Sequence, residues 1–230
     1  MSVEKSSLER CQSFIDSNFV KTRQEKPRKR LAITLSRQKF SKSHAIADQL
    51  MPLLQRDKIL GTDHWALFDR DLVHRILEDH NLPETIARYM PEDRDHDVTG
   101  LINEILGLHP SSWKLFHYTC DTIHKLASVG NVIVIGRGSH IITRSMPHVL
   151  KVRIICPLEK RVERAARLLD LTLEEAQKIV KQDDAARTAF VRSHFDEDIA
   201  DPLAYDLTIN TEHLSVEDGA YILLQALRDH

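Results

Sequence analysis

Apolar and polar positions alternate between two periods along this chain, and the switches between them mark its elements. Leu31 to Ser36 reads LAITLS, an apolar run with β-branched residues, and predicts a buried strand. The polar run RQKFSKS follows as a loop. Ala45, Ile46, Leu50 and Leu53 then recur at helical spacing. HWALFD at 64–69 predicts a short strand that passes into a helix, and from Asn81 to Gly130 the pattern is helical throughout, broken by prolines and glycines. NVIVI at 131–135 and VLKVRIIC at 149–156 predict buried strands. Pro157 opens a helix through EKRVERAARL, Thr172 with Glu175 caps LTLEEAQKIVKQ, and DDAARTAFVRSHF follows. YDLTIN at 205–210 is a last strand and LSVEDGAYILLQAL a last amphipathic helix. Strands alternating with helices predict a parallel sheet covered on both faces, with ligands at the carboxyl ends of the strands.

Residues 1–30 read as an appendage. Ser6 and Glu9 form a capping pair ahead of Leu8, Cys11, Phe14, Ile15 and Phe19, which predicts one amphipathic helix. Its apolar stripe would pack on the core, on a second copy or on a partner protein. Lys26, Arg28, Lys29 and Arg30 around Pro27 then form a basic linker.

Composition narrows the class. The 230 residues carry a net charge of −2, with 42% hydrophobic and 29% charged positions, so there is no global attraction to nucleic acid or to an anionic membrane. No apolar run reaches the roughly 18 residues of a membrane span, and the first residues lack a secretory core, so a cytoplasmic protein is expected. Three cysteines without CxxC spacing and thirteen scattered histidines suggest neither a disulfide framework nor a zinc site.

The candidate chemistry lies at the strand ends. Ser36 to Ser43 can be laid on the pattern GxxxxGK followed by Ser or Thr, with serine in place of both glycines at Ser36 and Ser41. Lys42 then stands where a phosphate-binding lysine is needed and Ser43 where a hydroxyl holds magnesium. Glycine suits such loops because it adopts left-handed angles and lets the backbone approach phosphate. An ordinary strand-loop-helix corner is the alternative. Asp69 ends the second strand, where it faces a ligand or caps a helix. Gly136, Arg137 and Gly138 end the third, an arginine between glycines being suited to grip a phosphate. Arg161, Arg164 and Arg167 share a helix face, and Arg187 and Arg192 follow on the next helix, so that two arginine groups bracket a helical hairpin able to close over a nucleotide.

ITLSRQ with its loop, FDRDLV, NVIVIGRG, LEKRVER, DDAAR and DPLAYDLTINT occur in the order found in the cytidylate kinase-like proteins, and residues 31–228 resemble that family. The resemblance implies a P-loop NTPase-like α/β domain over 31–230: a five-stranded parallel sheet with helices on both faces, a helical monophosphate-binding insertion at 69–130 and a lid at 158–195. It implies ATP and Mg2+, with transfer of a phosphoryl group to a nucleoside monophosphate, CMP or dCMP. Ser36, Arg37, Ser41, Lys42, Ser43 and Arg161 would contact ATP; Asp69, Arg75, Gly136, Arg137, Gly138 and Arg192 the monophosphate; Ser43 and Asp69 the metal; and Lys42, Arg164 and Arg187 would carry the catalysis. Two positions depart from the pattern. The loop after SRQ lacks the usual glycines, and Ile135 stands where cytidylate kinases place an acid. A nucleotide-binding regulatory module with little turnover, or a partner-binding scaffold, would follow if the loop does not receive phosphate.

Overall fold

The computed structural model describes residues 30–57, 60, 65–69, 112–136 and 138–230. The predicted N-terminal helix and most of its basic linker, the predicted helices between Asn81 and Pro110, Arg75 and Arg137 lie outside these residues.

Five strands form one parallel sheet: β1 (Ala32–Arg37), β2 (Ala66–Asp69), β3 (Val132–Ile135), β4 (Val149–Ile155) and β5 (Leu207–Asn210), in the order β2-β3-β1-β4-β5. Every paired ladder is parallel. The first strand in sequence is thus the central one, and the loop that leaves it emerges in the middle of the carboxyl edge. Six helices accompany the sheet among the described residues: α1 (Ser43–Arg56), α2 (Ser112–Val129), α3 (Ser139–Ile142), α4 (Leu158–Leu169), α5 (Leu173–Phe195) and α6 (Val216–Asp229). None of them is long and apolar enough to cross a membrane.

Side chains alternate across the strands and divide the core in two. Ile33, Leu35, Ile133, Ile135, Leu150, Val152, Ile154 and Ile209 pack against Ile46, Leu50 and Leu54 of α1 and Leu223 and Leu227 of α6. Ala32, Val132, Val134 and Val149, with Phe68, meet Ile123, Leu126 and Ala127 of α2 on the other face. The buried stripe of α1 is Ile46, Ala47, Leu50 and Leu54, with Leu53 partly buried against the same core, whereas Ala45, which the spacing had placed on the stripe, is exposed; the i, i+4 row 46, 50, 54 is the one that faces the sheet. α6 approaches α1 closely at Gly219, where a Cβ would lie 2.7 Å from Ile46 Cδ1.

Helices α4 and α5 form a hairpin with a small core of its own, Val162, Ala165, Ala176 and Val180. The predicted Thr172–Glu175 capping box is present at the start of α5, which runs unbroken through both segments read from the sequence. The short α3 has no periodic signal and was not predicted.

Candidate active site

The loop between β1 and α1 is held by hydrogen bonds rather than by glycines. Gln38 donates its N–H to Ile154 O (3.0 Å), and its Oε1 accepts from Cys156 N–H (2.9 Å). Ser41, fully buried, donates to Gln38 O (2.6 Å), and Ser41 O lies 3.0 Å from the buried Thr211 hydroxyl.

Left-handed backbone occurs at Phe40 (φ 62°) and Lys42 (φ 64°). The pattern GxxxxGK had put the demand for glycine at Ser36 and Ser41, but Ser36 is still a strand residue and Ser41 is not left-handed. Each such non-glycine residue costs about 1–2 kcal/mol. Both side chains are anchored outside the loop. Phe40 packs on the α4–α5 core, and its carbonyl accepts from Arg164 Nη1 (2.9 Å). Lys42 Nζ donates to Leu214 O (2.7 Å), on the turn before α6. The Lys42→Gly variant is therefore expected to be more stable than Lys42→Ala by about 1 kcal/mol, since both lose the amine and only glycine relieves the angle. Urea unfolding of the two variants checks this; equal midpoints would mean that residue 42 is not left-handed in solution.

The N-terminus of α1 is built differently from those of α5 and α6. α5 and α6 carry complete capping boxes, Thr172 with Glu175 and Ser215 with Asp218. α1 has no side-chain cap and no acid in its first turn. Its first intrahelical bond runs from Ile46 N–H to Lys42 O, so the amides of Ser43, His44 and Ala45 have no partner within the helix. Free amides and the positive end of the helix dipole attract an oxyanion.

Charged groups surround this terminus. The His44 imidazole, on the first turn, titrates below its ordinary range, first through desolvation and then through Arg37; Asp69 and Asp48 act in the opposite sense and Arg187 adds to the lowering. Arg37, Asp69 and Arg187, from the ends of two strands and from α5, thus all act electrostatically on this one imidazole. His44 was not singled out from the sequence, where it is one of thirteen histidines in no motif.

Arg187 is 8% exposed and pairs through Nε with Asp183 Oδ2 (2.5 Å), while Lys39 of the loop lies 3.8 Å from the same carboxylate. Arg164 reaches the loop through Phe40 O. Arg161 is engaged within the protein at all three nitrogens: Nε to Cys156 O (2.9 Å), Nη1 to Asp184 Oδ1 (2.9 Å) and Nη2 to Asp184 Oδ2 (2.8 Å). Arg192 is exposed and pairs with Asp196 (3.6 Å). Ser43 is buried at the first position of α1, and Asp69 is the last residue of β2, beside Ile135 in register. Gly136 follows β3. Gly138 is left-handed (φ 74°), and a Cβ there would lie 2.4 Å from Phe195 Cε2, so only glycine lets the end of α5 seat against this turn.

A second polar group lies behind that turn. Arg153 of β4 donates from Nη1 to Tyr205 OH (3.2 Å) and to Ser36 Oγ (3.4 Å). The Tyr205 hydroxyl donates to Ile199 O (2.9 Å), and its ring lies 4.4 Å from the His140 ring. His140 is buried and held down to a pKa of about 4, by desolvation and then by Arg153. Ser36 therefore belongs with Arg153, not with the loop amides. The signal in the sequence was an arginine near the end of a strand, VLKVRIIC, whose only other charged residue is Lys151.

Among the described residues no three His, Cys, Asp or Glu side chains gather as a metal cage. Magnesium in a phosphate site needs only one or two protein oxygens beside phosphate and water, and the hydroxyl of Ser43 and the carboxylate of Asp69 are hard donors of that kind.

No curated protein matches the sequence. Among solved structures, an uncharacterized protein from Eubacterium ventriosum superimposes with a TM-score of 0.65 at 14% identity, covering 87% of this chain and 99% of its own. Shikimate kinase from Bacteroides thetaiotaomicron gives 0.49 at 11% identity, covering 86% and 98%. The profile of the cytidylate kinase-like family matches residues 32–213, from the central strand to the turn before α6, and the chain belongs to that family.

Proposed function

We propose that the protein transfers the γ-phosphoryl group of ATP to a nucleoside monophosphate in the cytoplasm, with CMP or dCMP as the acceptor. The observation that carries this reading is the uncapped N-terminus of α1, reached through a loop whose two left-handed residues keep their side chains outside it.

Phosphoryl transfer asks the protein for in-line positioning and for positive charge around the transferring oxygens. The amides of Ser43, His44 and Ala45 receive ATP phosphate, with the buried Ser41 shaping the loop. Lys42 joins them by leaving Leu214 O, and Arg37 adds charge from the end of β1. Arg164 and Arg187 come from the lid, where an arginine aimed at the transition state acts most strongly. Arg137, between Gly136 and Gly138, holds the acceptor phosphate, with Arg75 and Arg192 on the acceptor side. Ser43 and Asp69 would hold magnesium, which supplies charge neutralisation at the phosphate oxygens when bound. The hairpin of α4 and α5 excludes water from the reacting centre.

ADP release from ATP and magnesium, measured with CMP, dCMP, UMP and AMP beside a Lys42→Ala control, tests the proposal. Acceptor-dependent release that is lost in the control supports it and names the acceptor. Absence of release with every acceptor overturns it in favour of a second reading, a nucleotide-binding regulatory module, which the bond from Lys42 Nζ to Leu214 O favours.

A further inference from the structure

Arg153 is a buried cation with no counter-ion among the described residues. It stands two residues before the end of β4, opposite Ser36 of β1, and is 8% exposed. Its partners among the described residues are neutral: Ser36 Oγ, Tyr205 OH and the Tyr205 ring, 5.5 Å from the guanidinium carbon. No carboxylate among the described residues pairs with it. Glu197, the acid felt by the adjoining His140, is bonded to Arg144. Burying a charge without a partner is strongly unfavourable, so a site of this kind is a standing invitation to an anion.

The geometry of the guanidinium says which anion. Both hydrogen bonds leave from Nη1, and Nε and Nη2 have no hydrogen-bond partner among the described residues. Nε and Nη2 form the edge that grips a phosphate or carboxylate in a two-point fork. His140, 1% exposed, has no hydrogen-bond partner at either ring nitrogen among the described residues and packs, tilted by 30°, on the same tyrosine. Hydroxyl, phenol and imidazole around one fixed guanidinium suit an oxyanion.

Position separates this anion from ATP. Leu35, Val152 and Ile154 face α1 and α6, so Ser36 and Arg153, their neighbours in the alternation, lie on the opposite face with His140 of α3. The amides of α1 and the Arg153 group therefore flank the end of the central strand from its two sides, and the Arg153 group adjoins the turn at Gly136 and Gly138.

We infer that Arg153, fixed by Ser36 and Tyr205, binds the phosphate monoester of the acceptor and is a determinant of its recognition. The inference rests on the phosphotransferase reading for the identity of the ligand, but not for the existence of the site.

The test compares wild type, Arg153→Met and Arg153→Lys by calorimetric titration and steady-state kinetics. Lysine keeps the charge and loses the fork, and it is read alone if the methionine variant does not fold. For whichever of CMP, dCMP, UMP and AMP binds wild type tightest, both variants should weaken binding by at least about tenfold, with ATP affinity within about twofold. The matching nucleoside, without phosphate, should bind all three proteins alike. Unchanged monophosphate affinity in the variants overturns the inference, as do equal losses for ATP and monophosphate, which mark a structural role. Binding of inorganic phosphate that depends on Arg153, with monophosphate binding that does not, overturns it in favour of a free-anion site. Monophosphate binding that needs Arg153 in a protein without turnover supports the site while the kinase reading falls.

Discussion

Replacing Arg187 by alanine is expected to lower turnover about a thousandfold while changing the KM for ATP far less, the signature of a group that acts on the transition state. Arg187 is nearly buried on α5, oriented by Asp183 on the preceding turn, and shares that carboxylate with Lys39 of the phosphate loop. Nε and Nη2 are the atoms that meet Asp183, which leaves Nη1 for a phosphate oxygen. The guanidinium is thus set before nucleotide arrives and needs little reorganisation during the reaction. Initial rates across an ATP series, at saturating acceptor, separate the two parameters. A rise in KM as large as the fall in turnover would assign Arg187 to ground-state binding.

Arg161 should behave in the opposite way, although it lies on the same hairpin and the family resemblance places it with ATP. Its three nitrogens join the end of β4, through Cys156 O, to Asp184 of α5, and it is 3% exposed. Removing one member of a buried ion pair costs about 3–5 kcal/mol. Asp184 keeps 30% of its side chain in solvent, so Arg161→Ala is expected to cost about 2–3 kcal/mol, just below that range. In a domain of this size the melting temperature should fall by about 4–12 °C. Affinity for ATP, measured well below the transition, should change little. A variant that melts like wild type but binds ATP weakly would return Arg161 to the nucleotide site.

The contrast between these arginines explains what the sequence could and could not tell. Apolar runs at 31–36, 131–135 and 149–156 identified the strands because a buried parallel strand is built mainly from apolar, β-branched residues, and the sheet formed as predicted. The capping box at Thr172 was readable because its two residues are local. The division of labour among Arg161, Arg164 and Arg187 was not. Arg161 and Arg164 share one basic strip and Arg187 belongs to a second arginine group, and only the positions of Asp183, Asp184 and Phe40 O decide which is consumed by the fold. The loop shows the same limit. A pattern tuned to glycine assigns the strain to positions, and the chain moved it to Phe40 and Lys42, where distant partners at the lid and at Leu214 hold the side chains. Arg153 and His140 escaped notice because their meaning comes from what does not surround them.

The seat of Phe40 in the lid has a kinetic consequence. Its ring is half-buried against Val162, Ala165, Ala176 and Val180, so a lid that swings away from the sheet must withdraw an aromatic side chain from apolar contact. Half of a phenylalanine transfer is about 1 kcal/mol, which by itself would hold the open conformer to roughly one molecule in six, and the bonds from Arg164 to Phe40 O and from Arg161 to Cys156 O lower that share further. Nucleotide that enters only through that conformer associates more slowly in the same proportion. Phe40 thus sets a resting population, and the speed of entry is written into a side chain packed on the lid.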